Sequence, residues 1–576
     1  MRYWWVLWLL LTKGALGQTI ISGKVTQPDQ SPIPGANVTV QPVGATTILA
    51  FGITNQKGEY TIRLQYAADS VVVKAYGMGF TTEQRTLPNR SQEISFLLSE
   101  QEVALKELVV RAPPITRTGD TLSYSVKSFK TQADRSIGDV IKRLPGIDVQ
   151  PDGSILYQGR PINKYYIEGL NLLDNRYRLA NDNLPADAVT QVEILENHQP
   201  IRLLDSLVTS ENAAINIRLK NTLTTTGTAR VGLGARPLLW DVNLTPMLFT
   251  RKQQMIASYQ SNNVGQNAAQ QIRTMTIEDI QNPFDKELSK KNWVRICPIP
   301  PPAFSDTRWL DNNVHLGSLN FLKKLNQSYE LKLNLSYLND QQQQAGSTRT
   351  ISYTPTDTIT IIEDMRNQFR VNRLEGTLTL ARNDRGHYLS NQLAFNRQWD
   401  QETGLLRLNG NPLTQQVNSP FYGLSNHLKD VFKLNQQLIT VQSFVRFQHT
   451  PQRLSVSPGP FESLLNDTNS YEKLTQEVNL RAFFTHTMVS LTKSLGKGFS
   501  ISPQLGVQYE KQHLGRSLLP SSDSAVPSSL GEEFTNNLDW VYRQAYSKLK
   551  TQYRKDKWQV TLTTPLSFHG FSLRDD

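Results

Sequence analysis

The chain has 576 residues, of which 38% are apolar and 19% charged, and its formal net charge is +11 at pH 7. It contains no apolar run of about 20 residues, which a helical membrane protein would need, and its 21 Phe, 20 Tyr and 9 Trp argue against wholesale disorder. The 61 Lys and Arg residues are scattered singly, which indicates solvated faces and no nucleic-acid partner. Polar, aromatic and β-leaning sequence is typical of transmembrane β-barrels.

The first residues have the pattern of a secretory signal peptide. Arg2 precedes an apolar run at 3–11, and the small residues Ala15 and Gly17 follow it. This order predicts cleavage after Gly17 and export of the chain, with residues 1–17 as the signal peptide. The residue directly after the predicted cleavage site is not a cysteine, so we do not expect a lipoprotein anchor.

The chemistry-bearing residues do not form a catalytic pattern. Cys297 is the only cysteine, which excludes an internal disulfide, and we interpret it as a non-catalytic thiol in a proline-rich stretch. The 8 His are spread singly, and no His-Glu-x-x-His or His-x-x-Glu pair is present. The sequence therefore predicts no enzyme activity, no catalytic residue, no metal site and no cofactor.

Residues 19–99 alternate short strand-like stretches with turns, which predicts an antiparallel β-sandwich. Four patterns in this stretch resemble the carboxypeptidase regulatory-like domain: Gly23-x-Val25, Pro32-Ile33-Pro34-Gly35-Ala36-x-Val38, Thr54-x5-Tyr60-x-Ile62 and Gly77-x-Gly79-Phe80. The resemblance implies a fold and is silent on activity.

Residues 102–220 combine short helices with short strands. Ser136 can cap a helix with Asp139 near its positive end, and Pro145-Gly146 stops that helix after Leu144. Tight turns then separate several strands, and a second short helix is predicted from Pro185.

The order of motifs in this second segment resembles the plug domain of TonB-dependent outer-membrane receptors. Leu144-Pro145-Gly146, Gly153-x-Ile155, Tyr166-Ile167-Glu168-Gly169 and Val192-Glu193-Ile194 carry the resemblance. Glu168 stands where the family usually has Asp, and Gly159-Arg160-Pro161 replaces an Arg-Gly step. A sandwich domain ahead of a plug is similar to the long receptors common in Bacteroidetes.

The stretch at 105–112, between the sandwich and the plug, resembles the linker that carries the TonB box in those receptors. Its centre is Leu108, Val109 and Val110, an extended apolar sequence that could add as a strand to a TonB-type energy transducer. The other interpretation, a plain final strand or interdomain linker, stays open.

From residue 222 to 576 the sequence predicts an antiparallel transmembrane β-barrel. Strand-length stretches come in pairs around short turns, with long polar loops between the pairs. Within 329–338, Leu331, Leu333, Leu335 and Tyr337 alternate with polar residues, as expected for one lipid-facing and one water-facing side. We count about 13 strands, and Trp293, Trp309 and Tyr422 fit either a membrane-interface girdle or sugar stacking.

The fold class is therefore mainly β: an N-terminal β-sandwich, an α+β plug domain and a barrel. The resemblance implies a TonB-dependent transporter in the cell outer membrane, where ligand binds at outer loops and plug apices and a periplasmic pull rearranges the plug. Its implied partners are a TonB-type periplasmic transducer, outer-membrane lipid and a surface lipoprotein. The alternative is an adhesin or surface assembly protein that uses the barrel only as an anchor.

Thirteen strands also lead us to expect an incomplete barrel in this chain. Single-chain bacterial barrels have an even number of strands, and the family resemblance implies about 22. The final residues, from Gly570 to Asp576, do not resemble a closing strand, so we expect several hundred further residues in the intact gene product.

Overall fold

A computed structural model describes residues 18–101, 113–174, 176–205, 210–273, 290–435, 437–460, 465, 471–496, 498–522, 530–555 and 558–575. The predicted signal peptide at 1–17 and the central residues of the predicted linker strand, Leu108, Val109 and Val110, lie outside these residues.

The N-terminal segment is a sandwich of two small sheets around one apolar core, which includes Ile21, Val38, Ile62, Val73 and Phe96. One sheet has the order β4-β1-β7, with β8 also on β1, and the other has the order β3-β2-β5-β6. The strands are β1 (Thr19–Thr26), β2 (Asn37–Pro42), β3 (Ala50–Ile53), β4 (Glu59–Leu64), β5 (Ser70–Tyr76), β6 (Glu83–Pro88), β7 (Gln92–Glu93) and β8 (Phe96–Leu97).

The all-antiparallel pairing expected for this sandwich was wrong at one edge. Both β7 and β8 run parallel to β1. After β6 the chain crosses from the second sheet to the first. Because this connection is a crossover and not a hairpin, β7 and β8 run in the same direction as β1.

The plug segment, residues 113–220 as far as they are described, contains a five-stranded sheet in the order β14-β16-β15-β10-β9 and a small sheet β11-β12-β13. Its strands are β9 (Ile115–Thr118), β10 (Thr121–Ser125), β11 (Ile147–Val149), β12 (Ile155–Tyr157), β13 (Arg160–Pro161), β14 (Lys164–Ile167), β15 (Val189–Leu195) and β16 (Ala214–Leu219). Its helices are α1 (Val126–Phe129), α2 (Ile137–Ile141) and α3 (Arg178–Asn183).

The helix predicted after Ser136 is present as α2, and Ser136 and Asp139 form a capping box at its start. Its predicted end after Leu144 was wrong, because the helix ends at Ile141 and i→i−3 hydrogen bonds tighten the chain over 143–144. The helix predicted from Pro185 was wrong, since only the single 3-10 turn Ala186–Ala188 forms before β15 begins at Val189. Three residues leave no room for an α-helix there. Among the described helices, none is both long and apolar enough to cross a bilayer.

The C-terminal segment is one antiparallel sheet of 13 strands, each paired with the next along the chain. The predicted number of strands is therefore confirmed. The strands are β17 (Thr224–Gly234), β18 (Leu239–Phe249), β19 (Gln253–Asn262), β20 (Asp311–Lys324), β21 (Tyr329–Tyr353), β22 (Thr358–Asn383), β23 (His387–Leu408), β24 (Asn411–Leu434), β25 (Gln437–Ser457), β26 (Lys473–Gly496), β27 (Phe499–Ser521), β28 (Asn536–Lys555) and β29 (Trp558–Asp575).

The two ends of this sheet differ. At the short-turn end, where the chain enters from the plug segment, each connection spans two to four residues, as at 250–252, 325–328 and 384–386. At the other end, which we call the long-loop end, connections include 263–310, 458–472 and 522–535. This asymmetry is the one predicted from the sequence.

Two of the long loops expected at the long-loop end are instead strand. β21 and β22 pair without interruption from Tyr329↔Arg382 to Tyr353↔Thr358, so only residues 354–357 connect them. β23 and β24 likewise meet across residues 409–410. Both stretches are polar, but the first contains many Thr and Ile residues, and continuous backbone pairing satisfies the amides of both.

The two faces of the large sheet are inverted relative to a soluble protein. On β21, Asn334 is 0% exposed and Ser336 is also buried, whereas Tyr337 is 42% exposed. The same holds far along the sheet, where Leu505 on β27 is 65% exposed and Glu510 is buried. The sheet therefore buries its polar face, against which the plug segment packs, and exposes its apolar face.

Candidate functional site

The plug segment and the first strands of the large sheet share one apolar core. Met247 and Phe249 on β18, Ile256 on β19 and Leu322 on β20 belong to the same buried cluster as the plug residues. Removal of this apolar surface from water fixes the plug against one side of the sheet.

Buried hydrogen bonds fix the position of the plug on β18 and β19. The Nδ2 atom of Asn243 donates to Oδ1 of Asn183 at 2.7 Å, and Nε2 of Gln254 donates to the carbonyl oxygen of Ile167 at 2.7 Å. Because buried polar groups are costly unless paired, these contacts fix the plug's register on β18 and β19.

An ion pair connects the plug to a further strand of the large 13-stranded sheet, which we call the wall. Lys332 on β21 pairs with Asp174, and its Nζ lies 3.4 Å from the carbonyl oxygen of Asn171. Arg176 lies close by, and burial lowers the pKa of its guanidinium despite nearby Asp174 and Glu375.

The plug also contacts the short-turn end of the sheet. Asn383 donates from Nδ2 to the carbonyl oxygen of Pro200 at 2.7 Å, and its Oδ1 accepts from the backbone N–H of Arg202 at 3.0 Å. Ile201 and Leu203 pack against Val431 nearby. The plug is thus anchored at two separate places on the polar face of the large sheet, which we call the concave face.

Between these anchors lies a partly open cavity of about 1590 Å³, lined by the plug, by strands β20–β25 and by part of the loop 263–310. Lys290, Arg373 and Asp400 line it towards the long-loop end, and Gln327 and Ser328 line it at the short-turn end. It extends from the short-turn end to about the middle of β22 and β23.

The charged groups that line the cavity have mixed signs. Nine are Lys or Arg and six are Asp or Glu: Lys164, Arg176, Arg202, Arg218, Arg273, Lys290, Lys324, Lys332 and Arg373 against Asp152, Asp174, Glu193, Glu330, Glu375 and Asp400. Several are paired with each other, as in Arg218 with Glu193. The cavity is therefore polar and suited to a hydrated solute.

The structure brings only some of the predicted site residues to this cavity. Gly169 lines it, and Glu168 and Gly169 form the two-residue turn of a hairpin, both with positive φ (51° and 74°). The Glu168 carboxylate accepts from the backbone N–H of Leu219 at 2.5 Å and lies 3.5 Å from Arg218. Glutamate is less usual than Asp or Asn in such a turn, and these contacts compensate for it.

Leu144, Pro145 and Gly146 do not line the cavity, and of the three only Leu144 belongs to the plug's core, since Pro145 is half-buried and Gly146 is exposed. Leu144 is buried, the Pro145 carbonyl oxygen accepts from the Tyr124 hydroxyl at 2.8 Å, and Gly146 has φ of 80°. Their geometry gives them a structural role, since they form the turn between α2, whose C-cap is Lys142, and β11.

His198 is a cavity-lining residue that the sequence did not single out. Burial, and to a lesser degree Lys164, lowers the pKa of His198 to about 4. Its Nε2 lies 2.9 Å from the Tyr166 hydroxyl. The imidazole is therefore neutral at pH 7 in the folded protein.

We expect acid to destabilise the plug through His198. The imidazole binds a proton at its ordinary pKa of about 6.5 in the unfolded chain and only at a pKa of about 4 in the folded protein, so stability falls as the pH drops through this window. The loss should be about 2 kcal/mol. Thermal melting of wild type and His198→Gln between pH 7 and 4.5 measures it, since the variant lacks this contribution. Equal pH dependence in the two proteins would contradict the expectation.

Other residues of the site were also missed by sequence reasoning, among them Asp174, Gln254, Lys290 and Lys332. Alternation did place Lys332 on the polar face of its strand, but no local pattern names a partner 158 residues away. Within the described residues, no group of three or more His, Cys, Asp or Glu is arranged to hold a metal ion.

Comparison with known proteins gives one family match and several structural similarities. Residues 21–110 match the family model described as CarboxypepD_reg-like domain, which confirms the resemblance of the N-terminal segment. No curated protein matches the chain.

Solved structures similar to the chain include the open form of the ferric-catecholate import receptor Fiu from E. coli K12, at 11% identity and a TM-score of 0.26, covering 80% of this chain and 76% of that one. The siderophore receptor PiuA from Acinetobacter baumannii has 10% identity and a TM-score of 0.30, with coverage of 76% and 64%. P. aeruginosa FpvA, bound to heterologous pyoverdines, has 10% identity and a TM-score of 0.24, with coverage of 81% and 80%. What this chain does is inferred from its own geometry.

Proposed function

We propose that the chain is the sandwich, plug and wall of a TonB-dependent receptor-like transporter that takes up a ligand across the outer membrane. The observation that carries this proposal is the inverted 13-stranded sheet, apolar on its exposed face and polar on the face that surrounds the plug. Such a sheet is destabilised in water, because its apolar face is uncovered, and it is stabilised in a bilayer, where lipid covers that face.

A path for the ligand is supplied by the cavity between plug and wall. The plug blocks the concave face and is held by separable contacts, including the pair of Lys332 with Asp174. A pull on the plug that breaks such contacts would widen the cavity into a passage. Polar groups along the cavity favour a hydrated solute over a lipid.

The energy source would be a TonB-type periplasmic transducer. Leu108, Val109 and Val110 would pair with it as an added strand, immediately before the plug in the sequence. A surface lipoprotein partner and an outer-membrane location complete the proposal. The polar cavity and the absence of a catalytic pattern in the sequence support transport rather than catalysis.

The test uses the linker strand and a matched substitution. Uptake profiling of a deletion strain across glycans, ferric siderophores and peptides first identifies a nutrient whose uptake the chain restores. Val109→Pro, which removes a backbone donor from the strand, should abolish that uptake while the protein stays folded in the outer membrane. Val109→Thr should retain it.

Full uptake by Val109→Pro would contradict the transducer contact. Normal surface adhesion with no restored nutrient uptake in any variant would instead favour the alternative, an anchored adhesin or surface assembly protein.

A further inference from the structure

The loop between β19 and β20 does not simply project from the long-loop end. Its residues 290–297, which we call the strap, lie across the concave face of the sheet over strands β22–β27. The Nζ of Lys290 donates to Asp400 Oδ2 on β23 and to Ser419 Oγ on β24, both at 2.8 Å. The Lys290 and Asp400 side chains are only 7% and 8% exposed.

A single glutamine holds the middle of the strap. Gln452 on β25 is 3% exposed, and its Oε1 accepts from the backbone N–H groups of Trp293 at 2.8 Å and Val294 at 3.2 Å. Its Nε2 donates to the carbonyl oxygen of Lys291 at 2.6 Å. One side chain thus satisfies three backbone groups of the strap.

The end of the strap is held in the same way. The backbone N–H of Cys297 donates to Gln415 Oε1 at 2.7 Å, and the Cys297 carbonyl oxygen accepts from Asn367 Nδ2 at 2.8 Å. These two partners lie on β24 and β22, so the strap spans several strands.

Apolar packing adds to these hydrogen bonds. Val294 and Ile296 are buried against Val417 and Val478 of the wall. A Cβ atom added at Gly404 would lie 3.3 Å from the Ile296 side chain, so the glycine leaves the space that the strap fills.

The strap closes the cavity on one side. Lys290 and Asn292 are among the cavity-lining residues, together with Arg373 and Asp400 of the wall. Arg373 and Asp400 lie near the middle of their strands, whereas Gln415 and Gln452 lie four and five residues from the long-loop end of theirs. The strap therefore bounds the cavity on the side that faces the long-loop end, where a ligand from outside would arrive.

We propose that the strap is a latch that closes the cavity towards the long-loop end, and that its release from the wall admits the ligand. This inference rests on the proposed function for the direction of transport, but the latch itself can be measured without any ligand. Gln452 holds the strap on the wall through three hydrogen bonds to the strap's backbone.

The only cysteine of the chain, Cys297, lies on the strap and reports on its release. In purified full-length protein, Gln452→Leu should raise the rate at which a maleimide labels Cys297 about tenfold or more, because three backbone groups lose their partner. Gln442→Leu is the matched control: it is the same substitution on the same face of β25, but Gln442 bonds His427.

A second variant covers the case in which Gln452→Leu fails to fold. Ile296→Ala removes an apolar anchor from the strap and leaves every strand unchanged, so it should also speed labelling. Trypsin cleavage after Arg295, which is exposed on the strap, should accelerate in parallel. Rates equal to wild type in both variants would overturn the latch.

A reporter inside the cavity tests closure. In a Cys297→Ser background, Thr377→Cys on the cavity wall should label slowly from outside intact cells and at least about tenfold faster when Gln452→Leu is added. Faster labelling of Cys297 without faster labelling at position 377 would overturn the closure.

The two proposals fail differently. If both reporters respond in purified protein but neither is reachable by a membrane-impermeant maleimide in intact cells, the latch stands and the proposed outer-membrane orientation fails.

Discussion

Replacing Lys332 with methionine is expected to loosen the plug from the wall by about 2–3 kcal/mol. Lys332 is largely buried on the concave face and pairs with Asp174, whose side chain is 30% exposed. Removing the ammonium leaves a half-buried carboxylate without its ion-pair partner Lys332. Asn171 Nδ2 still donates to Asp174 at 3.2 Å, and this contact, nearby Arg176 and the exposure of Asp174 keep the cost below that of a fully buried pair.

Amide hydrogen exchange across residues 164–183 of the purified protein measures this loosening. Lys324→Met is the matched control, because Lys324 lines the same cavity but makes no ion pair with a described residue of the plug. Asp174→Asn and the double variant complete a cycle that isolates the pair. Exchange in Lys332→Met that equals exchange in Lys324→Met would contradict the proposed role.

Local patterns predicted most of the fold. Alternation in β21 indicated which side chains face the plug, and the cap at Ser136 with the stop at Pro145-Gly146 indicated α2. The parallel return of β7 and β8 onto β1 was missed, because strand direction depends on the path of the chain between sheets.

The candidate site was predicted less completely. Glu168 and Gly169 were found because a hairpin turn has a local signature, and Gly169 does line the cavity. The contacts of Lys290 with Asp400 and of Gln452 with the strap join residues more than 100 positions apart. No spacing rule encodes such pairs, so sequence reasoning could place each residue on a face but could not name its partner.

Replacing Val507 with arginine is expected to prevent stable insertion of the protein into the outer membrane. Val507 is 59% exposed on the apolar face of β27, within the first ten residues from the short-turn end. A strand crosses a bilayer in about 9–11 residues, so this position faces the hydrocarbon interior. An arginine on the lipid-facing side costs about 2–4 kcal/mol at the bilayer midplane and less towards the interfaces, so we expect a cost of about 1–3 kcal/mol at this ninth residue of the strand.

The neighbouring position supplies the control. Gln508 lies on the opposite face of the same strand, paired with His486. Gln508→Arg should therefore leave the amount of folded protein in the outer-membrane fraction unchanged, whereas Val507→Arg should reduce it severely. Equal recovery of the two variants would argue against a lipid-facing apolar surface.

The most direct measurement of that surface uses an environment-sensitive fluorophore at the same two positions. Val507→Cys and Gln508→Cys, each in a Cys297→Ser background, are labelled with a nitrobenzoxadiazole dye in protein inserted into lipid vesicles. A membrane-embedded wall predicts a bright, blue-shifted emission at position 507 and a water-like emission at position 508. Water-like emission at both positions would contradict the membrane-embedded wall and the transporter built on it.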